Sequence, residues 1–313
     1  MRLLRCILGV AYQLSPGERV PAGIKRIVRE EIESAIRELR GQGEADLDEA
    51  IHEARKSMKK IRGVLRLVRP ELGENYSPEN TNYRDIGQLL SQFRDAGAMV
   101  ETFDALRKKY RTELGGVSLA SIRRGLIARK QQTEKHGEIQ KVLKGMAAML
   151  RQSGRRVAGW PVTTDGFAAI APGLEDTFRR GQNALARIRK RPNPLNYHEW
   201  RKRVKDHWYH VRLLERCWDG TMPAYERRLK DLETWLGEDH NVVVLQEKVM
   251  SEPDYYAPAQ AISAFRKLIA KYQRELRTEA MAAGRGIYGV KPRQLTSRIR
   301  RMWQSAHDPN GSA

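Results

Sequence analysis

The sequence predicts an all-α protein in which a four-helix unit is used twice. Three observations carry this. Nearly every long segment repeats its apolar residues at the period of an amphipathic helix, with many Leu, Arg, Lys, Glu and Ala and few alternating β-branched runs. The segment His52-Glu53-x-Arg55-Lys56-x-x-Lys59 recurs 146 residues later as His198-Glu199-x-Arg201-Lys202-x-x-Lys205. Arg66 and Arg212 extend the two copies at the same offset, and Arg94-Asp95 matches His240-Asn241 at that offset again. A constant offset marks an internal duplication. One long repeat in two copies suits paired bundles better than a solenoid of short units.

The elements follow in order. Ser15-Pro16-x-Glu18 offers a capping box, but Val20-Pro21 delays the first long helix to 22–41, because the residue before proline avoids helical backbone. Helices are expected near 47–69 and 78–113, the latter started by Ser77 and Pro78, and near 116–153. The stretch 154–173 is rich in Gly, Pro and Thr and reads as a loop. Four more helices are expected near 174–191, 194–217, 223–250 and 256–284, with Asn193-Pro194 repeating the cap-and-proline start. Lys291-Pro292 to Ser305 forms a closing helix. The organisation is thus an N-terminal extension over 1–14, a first repeat over 15–153, a second over 174–284, a closing segment over 285–305 and a frayed tail over 306–313.

Charge narrows the function. The 313 residues carry 58 Lys and Arg against 38 Asp and Glu, a net charge of +20, with a pI of about 10.1. Such an excess calls for a polyanionic partner: nucleic acid, an anionic membrane surface or a phosphate polymer. No apolar run is long enough to span a bilayer. Cys6 and Cys217 make neither a disulfide framework nor a metal-type spacing. The start, Met1 to Leu8, has a short apolar stretch without a small-x-small cleavage site before Ser15, so a cytoplasmic protein is expected.

On a helical wheel His52, Arg55, Lys56, Lys59, Arg62 and Arg66 fall within an arc of roughly 120°. Ile51, Ala54, Met58, Ile61, Leu65 and Val68 occupy the neighbouring arc and form the core face. His198, Arg201, Lys202, Lys205 and Arg212 repeat the basic arc, and Trp200, Val204, Trp208 and Val211 repeat the core arc. A charged stripe is ordinarily a solvated face, where acids alternate with bases for i,i+4 pairing. This row is nearly free of acid, and duplication kept it while its surroundings diverged. Like charges one turn apart are best explained by a multivalent anion, to which Arg offers paired donors and Lys a compact charge. Lys25 and Arg26 on the first helix, Arg179 and Arg180 on the fifth, and Arg84, Arg94 and His240 are further candidates for the same surface.

The histidines allow three readings: neutral edge residues of a bundle, metal ligands or phosphate donors. Glu49-x-x-His52 has the spacing of carboxylate-bridged di-iron bundles, but the second copy has Leu195 in place of the glutamate, and flanking cations repel a metal. The donor role is preferred. No metal or cofactor is expected.

These residues resemble the CHAD family, the conserved histidine α-helical domain. The resemblance covers 12–305 and rests on the two histidine helices and on Leu90-Ser91-x-x-Arg94-Asp95-Ala96. It rests also on Leu236-Gly237-Glu238-Asp239-His240-Asn241 and on Ile287-Tyr288-x-x-Lys291-Pro292, all in the family's order. It implies a domain over 15–305 made of two pseudo-symmetric four-helix bundles, with the basic helices facing across a central cleft or pore. It also implies binding of inorganic polyphosphate, association with polyphosphate granules and no catalytic activity of its own. Trp208 stands where the first copy has Arg62, and Gly97-Ala98 replaces an acidic position of the family, so the two walls are not equivalent.

Two other functions compete. A nucleic-acid binder fits the charge, but aromatics are only 7% and show no interleaved stacking pattern. A phosphoryl-processing enzyme needs a P-loop or an acidic metal cluster, and only Glu53, Glu199 and Asp239 lie near the row. Long helices with Met- and Trp-rich faces leave room for a homodimer.

Overall fold

The computed structural model describes residues 12–15, 17–41, 47–114, 117–133, 136–217 and 220–307. The start through Ala11 and the tail beyond His307 lie outside the described residues. Among the described residues the regular structure is helical, without a strand. In the first half these are α1 (Val20–Leu39), α2 (Leu47–Leu67), the single turn α3 (Arg69–Leu72), α4 (Tyr76–Lys109), α5 (Ala120–Thr133) and α6 (His136–Arg156). The second half has α7 (Ala171–Lys190), α8 (Pro194–Leu213), α9 (Met222–Ser251), the single turn α10 (Pro253–Tyr256), α11 (Ala259–Ile287) and α12 (Pro292–His307). None of these helices is long and apolar enough to cross a membrane.

Several helix starts fall ahead of expectation for one reason, α7 among them, at Ala171 before Pro172. The first turn leaves its N–H groups without intrahelical partners, so a proline is tolerated anywhere within it. α1 therefore begins at Val20 before Pro21, and α4 at Tyr76 before Pro78. The α1 start is capped from a distance. The Val20 N–H donates to the Asp165 carboxylate at 2.8 Å, while Arg19 donates to the other oxygen at 2.8 Å. Asp165 belongs to the linker between the repeats. Asn193 caps α8 as expected, accepting from the Asn196 N–H at 2.9 Å.

The helix expected over 116–153 is two helices. α5 packs on α4 and α10, whereas α6 packs on α1, and one straight helix could not reach both. Within the first half α1, α2, α4 and α5 pack in succession and α6 returns to α1. Within the second half α7, α8, α9 and α11 pack in succession and α12 returns to α7. Between the halves α2 packs on α7 and α8, and α4 on α9.

The apolar cores do not divide where the repeats do. A large core joins Ile27 of α1, Met58 and Ile61 of α2, Phe178 of α7, Trp200 and Val204 of α8 and Trp303 of α12. A smaller one joins Phe103 and Leu106 of α4, Ile122 of α5, Leu245 of α9 and Phe265 of α11. α4 and α9 contribute their first halves to the large core and their second halves to the small one. Each fully buried side chain of this kind stabilises the fold by about 1.5–3 kcal/mol.

The first described residues are part of the large core. Tyr12 and Leu14, expected in an extension, are buried. The Leu14 N–H donates to the Leu213 carbonyl at 2.8 Å, and the Tyr12 hydroxyl donates to the Lys60 carbonyl at 2.8 Å. Residues 12–14 thereby tie α2 to α8. Two glycines allow the halves to meet. A Cβ on Gly173 would lie 1.9 Å from the Leu67 carbonyl oxygen, so α7 starts backbone-to-backbone against the end of α2. A Cβ on Gly63 would lie 3.1 Å from the Tyr209 Cβ, and the Gly63 carbonyl lies 2.8 Å from His210 Nε2. Those contacts hold α2 against α8.

Candidate functional site

The crossing of α2 and α8 at Gly63 fixes how the two basic rows meet. His52, Arg55 and Lys59 project from α2, and His198, Arg201 and Lys205 from α8, into one cavity of about 500 Å³. The residues stand at i, i+3 and i+7 on each helix, so each trio shares a face. Ser91, Asp95, Ala98, Met99, Glu101 and Thr102 of α4 and His240, Asn241 and Val244 of α9 complete the lining. The cavity lies where α4 and α9 pass from the large core to the small one. Apolar packing ends there on both sides, so charged groups line the gap.

Electrostatics in the cavity are unequal. Lys205 donates to Glu233 at 2.8 Å, and Lys230 donates to the other Glu233 oxygen at 2.8 Å. Burial works against the Glu233 carboxylate, but the two lysines bring its pKa down to about 2. Lys59 has no ion-pair partner among the described residues. Burial first, then Lys205, Arg55 and Arg201, push its pKa down to about 7. Arg201 and Lys205 are also pushed down, mainly by burial. The buried Arg201 Nε has no hydrogen-bond partner among the described residues. Arg55 approaches Asp95 at 3.7 Å. The His198 and His240 rings lie 4.2 Å apart, and burial together with the nearby cations depresses both, His240 to about 3.

Other candidates go elsewhere. Lys56 donates to Glu53 at 2.9 Å, and Lys202 pairs with Glu199 at 2.5 Å, so both form i,i+3 pairs outside the cavity lining. Glu53 and Glu199, considered above as acids for catalysis, are occupied by those pairs, and Asp239 is buried against Arg277 at 2.8 Å. Arg62 donates to Asn80 at 3.1 Å, and burial and Arg66 push it down to about 10. Arg66 donates to Asp206 at 3.0 Å. Arg212 lies 5.3 Å from the Trp208 ring, and Lys230 lies 4.4 Å from the same ring. Trp208 thus carries cations on its face where the first copy has a cation of its own. Lys25 reaches the Ala158 carbonyl at 3.1 Å, and Arg26 is held by Glu18 at 2.7 Å and Glu30 at 2.9 Å. Arg179 and Arg180 both pair with Asp176 at 2.6 Å on α7.

The row expected to be free of acid meets acids from neighbouring helices. Glu233 lies on α9 and was not singled out, and Asp95 on α4 was named only as part of a repeated motif, not as a partner of the row. Glu233 was detectable, since it sits on the inward face marked by Leu229, Leu232 and Leu236. An acid on an apolar face needs a buried cation. Among the described residues no group of three His, Cys, Asp or Glu side chains is arranged to hold a metal ion.

A comparison with curated proteins finds no match. The sequence profile of the CHAD domain matches residues 27–249, which contain both basic rows and every residue that lines the cavity. The chain therefore belongs to the CHAD domain family.

Proposed function

We propose that this chain binds inorganic polyphosphate without processing it, holding the polymer between the α2 and α8 rows. One observation carries this reading. Two trios of basic residues, related by the internal offset, line the same cavity together with His240. An anion with regularly spaced charges can place successive phosphates between opposed cations, and Arg201 and Lys59 keep unused donors for it. The matching order of helix contacts in the two halves supports a pseudo-two-fold arrangement of the repeats about this cleft. The protein then acts in the cytoplasm, at polyphosphate granules, and a homodimer would bring two clefts together.

Binding rather than catalysis is favoured by the acids. Asp95 faces Arg55, and Glu233 is engaged by two lysines. Neither leaves a carboxylate cluster for magnesium or manganese. Titration calorimetry with long-chain polyphosphate over a range of salt concentrations tests the proposal. Affinity should fall steeply with salt, by the counterion-release logic established for nucleic acids. Arg55→Gln with Arg201→Gln should weaken binding at least tenfold with the helical circular dichroism retained. Unchanged affinity, or orthophosphate release on adding magnesium or manganese, would overturn the reading. Displacement of polyphosphate by duplex DNA at equal phosphate concentration would favour the nucleic-acid alternative.

A further inference from the structure

A second basic surface lies on the far side of α8 from the cavity. Arg203 is two residues from both Arg201 and Lys205, about 200° around the helix, so it points away from them. There it joins a run of three adjoining depressions along α7. The first, about 580 Å³, is bordered by Arg66, Arg69, Arg179 and Arg180 around Tyr76. The second, deeper and small, shares Arg66, Arg69 and Arg180 with it and adds Arg203. The third, about 500 Å³, shares Arg180 and Arg203 and adds Arg187 and Lys190. None of these residues lines the cavity between α2 and α8.

The arrangement is more than a solvated face. On α7, Arg180, Asn183, Arg187 and Lys190 stand at i, i+3, i+7 and i+10, so they share one face as the cavity rows do. The third depression has no carboxylate in its lining. In the other two, each carboxylate serves two arginines. Asp176 holds Arg179 and Arg180, and Asp206 holds Arg66 at 3.0 Å and Arg203 at 3.8 Å. Arg69, Arg187 and Lys190 have no carboxylate partner among the described residues, and Arg69 instead covers the Tyr76 ring at 4.7 Å. The helix dipole favours cations near the α7 C-terminus and accounts for Arg187 and Lys190. It does not reach Arg179 and Arg180, which stand at the middle of α7. From Pro172 to Lys190 the run is about 27 Å long at the rise of an α-helix.

We infer that this arginine-lined track on α7 is a second binding site for a phosphate polymer, separate from the cavity. It takes the part of a long polyanion that the cavity does not hold. The arginines give paired donors to phosphate oxygens, while their shared carboxylates keep them extended and in place. The choice of ligand rests on the reading of the cavity, but the site itself does not.

Two variants separate the sites. The track variant carries Arg69→Gln, Arg180→Gln and Arg187→Gln, and the cavity variant carries Arg55→Gln and Arg201→Gln. Both are titrated with tripolyphosphate and with long-chain polyphosphate. The track variant should bind tripolyphosphate at the cavity as the parent does, lose at least tenfold in affinity for the long chain, and show a shallower salt dependence. Its melting temperature should match the parent's, since these side chains lie on the surface. Long-chain affinity and salt slope equal to the parent's would show that the track is only solvated surface. If the cavity variant binds both probes normally while the track variant loses the long chain, the cavity reading fails and the track stands. If duplex DNA binds the cavity variant and displaces the long chain from it at equal phosphate, the track is a nucleic-acid surface and the inference fails.

Discussion

Glu233 accepts a hydrogen bond from Lys205 at 2.8 Å, yet the residue 146 positions before Glu233 is Gly87, so Lys59 faces the same cavity without a matching acid. Duplication supplied both lysines, and divergence neutralised one. Replacing Glu233 by Gln removes the charge that both lysines pair with, leaves one acceptor oxygen between them and raises the positive charge of the cavity. The expected outcome is a loss of about 2 kcal/mol of stability, the scale of a hydrogen bond between charged groups, with tighter polyphosphate binding. Chemical denaturation and calorimetry on one preparation check both signs.

Lys59 should behave in the opposite way. Its charge is buried beside Arg55, Arg201 and Lys205 without an ion pair among the described residues. Lys59→Gln relieves that repulsion, so the melting temperature should rise while affinity for the polymer falls. A variant losing both stability and affinity would show that Lys59 is held by packing and not strained by charge.

The cavity should take up protons when it fills. Lys59 is down to about 7 from 10.5, His240 is down to about 3 from 6.5, and His198 is also depressed. Each binds its proton less readily in the fold than in an unfolded chain, so each favours folding as pH rises. For the histidines that gain is complete above 6.5, and for Lys59 it accrues between about 7 and 10.5. A polyanion favours the charged forms and reverses the shifts. Affinity should therefore increase as pH falls from about 10.5 to about 7, where Lys59 takes up its proton on binding, and again below 6.5, where the histidines do. Binding heats should differ between buffers of different ionisation enthalpy. His198→Gln with His240→Gln should flatten the acid part of that profile.

The meeting of the halves at Gly173 can be tested without ligand. Its Cβ would fall 1.9 Å from a backbone oxygen, which no rotamer change relieves. Gly173→Ala should cost about 3 kcal/mol or more, at the upper end of overpacking effects, read as a lower denaturation midpoint with an unchanged slope.

Much of this was legible in the sequence. The core face Ile51, Ala54, Met58, Ile61 and Leu65 is buried as the wheel placed it, and the two trios at i, i+3 and i+7 reach one cavity. Helical period determines which residues share a face, and period is visible in one strand of text. It does not determine which helix lies opposite. Hence the Lys205 acid on α9, the departure of Arg66 and Arg180 toward a second surface, and the commitment of Arg26 to Glu18 and Glu30 needed the tertiary structure. The division into α5 and α6 was hidden for the same reason, because α5 serves the small core and α6 the large one.

α4 and α9 are anchored in both cores and span the cavity between them. The small core, which contains none of the basic trios, therefore works as the clamped end of a pair of tongs. Trimming Phe103 or Phe265 would change how far the jaws stand apart, and so the calibre of polymer admitted, without altering a single charge.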